Sequence, residues 1–143
     1  MGKVTSRVRL IDGIQMVGES GSGHTVVMDG SLEVGGRNMG VRPMELFLIG
    51  LGGCASIDVL TILRKGRHIV NNCEVTITGE RAEQDPKVYV EIGLHFIVTG
   101  KDIPSKAVER AIQLSEEKYC SAAAMLSKTA TIRSTFDIME SQP

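Results

Sequence analysis

The sequence predicts an α+β fold in which a mainly antiparallel sheet backs one long central helix. Three observations predict it. From Leu46 to Ile57 twelve residues pass without a charge, an apolar run that reads as a helix buried on nearly all sides. Val88, Val90, Ile92, Leu94, Phe96 and Val98 alternate without a break, the pattern of a strand covered on one face. Along the chain the patterns run strands, long helix, two strands, helices, last strand. A length of 143 residues suggests a single domain that buries about 70% of its unfolded surface.

The elements follow in order. Val4, Ser6, Val8 and Leu10 alternate with other residues and predict a first strand. "GIQMVGES" and "HTVVMDG" flank "GSG" at residues 21–23, which reads as a hairpin loop. "GGRNMGVRP", residues 35–43, is a glycine-rich connector carrying Arg37 and Arg42. Pro43 is well placed at a first helical position, and the helix is predicted over 43–65 with Gly66 as its stop. Gly50, Gly52 and Gly53 each cost that helix about 1 kcal/mol relative to alanine, and each permits close backbone approach. Cys73, Val75, Ile77 and Gly79 then share one face of a strand, "AEQDP" turns the chain, and the alternating strand follows. Asp102 and Pro104 open a second helix, "SAAAMLSK" makes a third, and Ala130, Ile132, Phe136 and Ile138 mark a final strand. One domain over 1–143 therefore comprises N-terminal strands and connector (1–42), central helix (43–65), and strands, helices and final strand (72–139).

Composition narrows the function classes. Sixteen basic residues face 17 acidic ones, aromatics make up 3% and Trp is absent. With neither a basic stripe nor a stacking platform, nucleic acid is not an expected partner. "MGKVTSRVRL" lacks the apolar core of a signal peptide. The uncharged run is short for a membrane span, and Glu45 and Asp58 bracket it. A cytoplasmic protein with no membrane partner is expected. Three cysteines, an odd number without a CxxC pair, argue against a structural disulfide framework and for a reducing compartment. His24, His68 and His95 sit far apart, so no metal site and no bound cofactor are expected.

The chemistry rests on cysteine. Cys120 lies where one helix ends and another starts, and a helix N-terminus favours thiolate. Cys54 lies well inside its helix with Asp58 at i+4, whose charge opposes ionisation. Asp58 reads as a carboxylate at the solvated edge of the helix, with a buried proton donor as the alternative. Each cysteine taken alone reads as a small buried hydrophobe, and Cys73, on the apolar face of its strand, keeps that reading.

"RPMELFLIGLGGC" (Arg42 to Cys54) followed 66 residues later by the cysteine of "SEEKYC" (Ser115 to Cys120) resembles the OsmC/Ohr family of thiol peroxidases, and the element order matches along essentially the whole chain. The resemblance implies an OsmC-like intertwined homodimer with two interfacial active sites. It implies a peroxidase acting on small organic hydroperoxides, in which Cys54 becomes a sulfenic acid and Cys120 condenses with it to a disulfide. An external dithiol, of low molecular weight or lipoyl type, then restores the pair. Family members hold an arginine beside the first cysteine with a glutamate. Here Met44 follows the proline directly and Glu45 comes next. Arg37, on the connector, is the first choice for the arginine, and Ser121 follows Cys120 where proline is frequent. Glu45 and Arg37 are thus the supporting residues. The alternative on the same fold is a non-catalytic dimer that senses redox state or binds a small lipophilic ligand.

Overall fold

Tight turns shape the N-terminal strands in the computed structural model, which describes residues 2–142. The backbone divides into two units, the first ending at Phe47 and the second starting at Leu48. In the first, β1 (Ser6–Asp12), β2 (Gln15–Ser20) and β3 (Thr25–Met28) pair antiparallel in that order. Gly13 at φ 60° and Gly23 at φ 91° take left-handed conformations in the two turns, which glycine adopts without a Cβ clash. β1 starts at Ser6 rather than Val4. All seven of its residues are exposed, so the alternation there does not mark a face covered within one chain.

The connector is organised by a carboxylate. Asp29 is 3% exposed, and it accepts the backbone N–H groups of Gly30, Arg37 and Met39 at 2.8, 3.1 and 3.1 Å. Burial opposes its ionisation. The three N–H donors, helped by the Arg37 guanidinium, outweigh burial and hold the carboxyl below its ordinary value.

Helix α1 (Pro43–Lys65) has the predicted bounds. Glu45 Oε1 accepts the backbone N–H of Arg42 at 2.7 Å, the return half of a capping box. Arg64 and Lys65 in the last turn suit the negative end of the helix dipole. The left-handed residue after the helix is Arg67 at φ 64°, not Gly66, and His68 N–H closes on the Leu63 carbonyl at 3.1 Å. By length and composition α1 could cross a membrane, its most apolar window having a mean hydropathy of 2.1. Of that window 28% is buried. Leu51, Ala55, Val59 and Leu63 are at most 3% exposed and form one stripe at i+4 spacing.

Within one chain the helix is not buried on nearly all sides, because the sheet covers a single face. Ile49 and Ile57 are 55% and 66% exposed. The three glycines divide the same way. A Cβ added to Gly52 would lie 2.6 Å from Ile77 Cδ1, whereas one added to Gly50 or Gly53 would meet nothing within 4 Å.

That sheet has the order β4 (Ile69–Arg81), β5 (Tyr89–Lys101), β6 (Thr131–Glu140). β4 and β5 pair antiparallel, but β5 and β6 pair parallel. A parallel pair needs a crossover of a dozen residues or more. The crossover here holds α2 (Ser105–Leu114), a π-helical turn (Ser115–Tyr119) and α3 (Ser121–Leu126). With the N-terminal sheet wholly antiparallel, the fold is still α+β and mainly antiparallel. In β5, Ile92, Leu94, Phe96 and Val98 are at most 3% exposed, as their alternation predicts. Val90 breaks the pattern at 37% exposure, and Tyr89 is buried in its place. The register shifts there, Glu80 facing Glu91 and Arg81 facing Tyr89, so Val90 is the extra residue of a bulge.

Candidate functional site

The second unit brings Cys54 and Cys120 together. Cys54 projects from the middle of α1 and is half-buried, while Cys120 is buried at the joint between the π-helical turn and α3. Asp58 follows Cys54 by one helical turn and shares its face. The two sulfurs and a carboxylate oxygen of Asp58 all lie within 4.8 Å of one another.

The π-helical turn sets this arrangement. It carries the chain from α2 into an extended residue at Cys120, φ −76° and ψ 103°. The Cys120 N–H closes the turn on the Ser115 carbonyl at 2.7 Å. The Cys120 sulfur accepts the Ala123 N–H at 3.4 Å, so the thiol caps α3. Single π turns of this kind recur at functional sites. Ser115 is 1% exposed, and its hydroxyl donates to Asp58 Oδ2 at 3.0 Å. One buried serine therefore fixes both the carboxylate and, through its carbonyl, the backbone of Cys120.

The electrostatics correct the expectation that Cys120 favours thiolate. Its pKa is pushed up to about 11. Burial is the main cause, followed by the hydrogen bond with the Cys54 thiol and by the charges that Cys54 and Asp58 can carry; only the Ala123 N–H acts the other way. A six-residue helix has too small a dipole to offset burial. Asp58 also departs from its expected place, being half-buried and hydrogen-bonded rather than at a solvated edge. Cys54, Asp58 and Cys120 are the side chains here that could meet a metal ion, one fewer than the four ligands of structural zinc.

A groove of about 260 Å³ opens at Asp58, lined also by Thr61, Ile62, Lys65, Leu114 and Tyr119. It runs along α1 from the carboxylate to Lys65. On the other side, Cys120 packs against Leu51, Ala55, Phe96 and Ile112 around a gap of about 10 Å³. Cys120 thus has a tightly packed, mainly apolar floor, and the groove starts at the carboxylate of the cluster.

The remaining residues singled out by sequence have partners of their own. Arg37 belongs to the first unit, where its guanidinium pairs with Asp12 at 3.0 Å and donates to Gln15 Oε1 at 3.2 Å. Glu45 caps α1. Cys73 is half-buried on β4 rather than deep in the core; burial raises its thiol pKa, and a hydrogen bond with Ser56 opposes this. Sequence reasoning missed Ser115. A polar residue that ends the apolar spacing of α2 five positions before Cys120 was the available signal.

Comparison with known proteins places this geometry among relatives. Residues 35–135 match the family model described as OsmC-like protein. Protein YhfA of Escherichia coli K12 is 46% identical over 134 residues, spanning 94% of this chain and 97% of that one. A solved hypothetical protein from Aquifex aeolicus VF5 is 28% identical with a TM-score of 0.86, covering 99% of this chain and 100% of its own. The organic hydroperoxide resistance protein OsmC of Legionella pneumophila shares the fold at 14% identity. Its TM-score is 0.73, over 96% of this chain and 98% of that one.

Proposed function

The chain belongs to the OsmC-like family, and from that premise we propose that it is a thiol-dependent peroxidase reducing organic hydroperoxides, Cys54 attacking and Cys120 resolving. The observation that carries the proposal is the approach of the two sulfurs to within 4.8 Å. The name of the Legionella pneumophila relative supports the substrate class. The difference in exposure supports this order of the two thiols, since Cys54 is half-open and Cys120 is 3% exposed.

Cys54 thiolate attacks the terminal peroxide oxygen, the O–O bond breaks, and the alkoxide leaves and takes a proton to become an alcohol. The sulfenic acid so formed is trapped by Cys120 before further oxidation, giving a disulfide and water. An external dithiol reduces the disulfide. The apolar floor of Leu51, Ala55 and Phe96 suits an organic rather than an inorganic peroxide. Stopped-flow mixing of the reduced protein with cumene hydroperoxide tests the proposal. Consumption orders of magnitude faster than by free cysteine is expected, and consumption at the free-cysteine rate overturns it.

Arg37 is our assignment for the cation that stabilises the Cys54 thiolate, with Glu45 fixing the start of the helix that carries the cysteine. Arg37→Met is expected to slow the peroxide step at neutral pH by about tenfold or more, because the thiolate is the nucleophile. An unchanged rate removes Arg37 from the site.

The protein is further expected to be a homodimer. Ile49, Gly50, Gly53 and Ile57 leave an apolar strip of α1 uncovered, and bare glycines admit close backbone approach. Gly53→Leu meets open space within the chain, so its far-UV circular dichroism should match wild type while light scattering shifts from dimer toward monomer. A monomeric wild type at micromolar concentration rejects the dimer.

One observation favours a second reading. Glu45 Oε1 accepts the Arg42 N–H, and among the described residues no arginine forms an ion pair with this carboxylate, which suits a slow redox sensor or a dimer holding a lipophilic ligand. Native mass spectrometry would reveal such a ligand, and an empty protein with fast peroxide turnover rejects this reading.

A further inference from the structure

We propose that Asp58 relays the proton in disulfide formation, taking it from the Cys120 thiol as Cys120 attacks an oxidised Cys54 and passing it to the departing hydroxide. The proposal deepens the peroxidase reading and rests on the same pair of cysteines, but it concerns only the closing of the disulfide, whatever oxidises Cys54.

The geometry poses the problem that Asp58 solves. Cys120 is 3% exposed, so bulk water has little access to its proton. Burial holds its thiol above the ordinary value, so at pH 7 little of it is thiolate. A resolving thiol in that state needs a local proton acceptor. Asp58 is the carboxylate in the cluster, with an oxygen within 4.8 Å of both sulfurs. The Ser115 hydroxyl donates to Oδ2 at 3.0 Å and holds the group in place. Ser115 is also the residue whose carbonyl fixes the Cys120 N–H, so base and thiol are positioned by one side chain and one backbone group of the same buried residue.

The step balances. The Cys120 S–H bond breaks, the Sγ–Sγ bond forms and the S–O bond of the Cys54 sulfenic acid breaks. Cys120 sulfur is oxidised and Cys54 sulfur is reduced to the disulfide level. The thiol proton ends on the leaving hydroxide as water, with Asp58 unchanged. A carboxylate is far too weak a base to hold a thiol proton at rest; it works here as a conduit, because hydroxide accepts the proton as it leaves.

The opposite role for Asp58 is also concrete. Its negative charge opposes the Cys120 thiolate, and if that repulsion were its main effect, removing the charge would speed the reaction. The sign of the change therefore decides. Reduced protein is oxidised with cumene hydroperoxide, or with excess hydrogen peroxide, in the presence of dimedone. Mass spectrometry then gives the ratio of dimedone-labelled Cys54 to Cys54–Cys120 disulfide. That ratio reads the second step and is independent of how fast the first one runs, so a failure of the peroxidase proposal leaves it interpretable.

Asp58→Asn is expected to raise the ratio about a hundredfold, the lower range for loss of a general acid–base group. Ser115→Ala should raise it less, and Asp58→Glu should recover part of the wild-type ratio. Circular dichroism of each variant guards against unfolding. An unchanged or lowered ratio in Asp58→Asn overturns the proposal, as does an equal rise in Asp58→Glu, which would make Asp58 a packing residue.

Discussion

Cys54→Ser should abolish peroxide consumption, while Cys120→Ser should consume one equivalent and then stop. The two thiols are not interchangeable in this fold. At pH 7 the buried Cys120, its thiol held above the ordinary value, offers little of its population as nucleophile. It cannot substitute for Cys54 in the first step. Cys54 in turn, once oxidised, has Cys120 as the thiol of its cluster, while Cys73 on β4 hydrogen-bonds with Ser56. Stopped-flow peroxide consumption with and without a dithiol separates the cases. Wild type turns over with dithiol, Cys120→Ser gives a single stoichiometric phase and a trappable sulfenic acid, and Cys54→Ser gives neither. Sustained turnover by Cys120→Ser at the wild-type rate would show that resolution comes from outside the chain, and peroxide consumption by Cys54→Ser would reverse the assignment.

The sequence was legible where one physical rule dominates. α1 could be bounded at Pro43 and Lys65 because a proline start and a glycine following two basic residues leave few alternatives. β5 could be read from Ile92 to Val98 because burial of one face enforces a period of two. What could not be read depended on three-dimensional competition. The bulge at Val90 exchanges one buried side chain for another, and alternation alone does not report it. Whether an apolar helix is covered on one side or all round depends on how many elements pack on it, so Ile49 and Ile57 were expected inside. Cys120 was expected to be a favoured thiolate because a helix start is visible in sequence, whereas the burial that outweighs it is not. The spacing of Cys54 and Cys120 pointed to the pair. Nothing in the spacing pointed to Ser115, whose importance comes from a π turn that places its hydroxyl on Asp58. Asp29 escaped notice for the same reason, since its three N–H partners lie one, eight and ten residues away.

The largest effect on stability is expected from Phe96→Ala. Phe96 is 1% exposed at the centre of β5, between Val75 of β4 and Phe136 of β6. Removing a buried phenyl ring costs about 3–5 kcal/mol, from lost transfer energy plus the cavity left behind. Against a domain stability of about 5–15 kcal/mol, that is about a fifth of the total at the least. Met125→Ala, at a side chain 70% exposed, should stay within about 0.5 kcal/mol and serves as the control. Urea denaturation followed by circular dichroism measures both. The effect should also reach the site. Phe96 shares with Cys120, Leu51 and Ala55 the lining of a gap of only about 10 Å³, at the lower limit for one water molecule. Deleting the ring opens that floor directly beneath the buried thiol. If close packing is what keeps Cys120 in register with Cys54, the folded Phe96→Ala protein should form the disulfide more slowly than wild type at the same peroxide concentration. A variant that loses several kcal/mol yet closes its disulfide at the wild-type rate would place that register in the Ser115 turn alone.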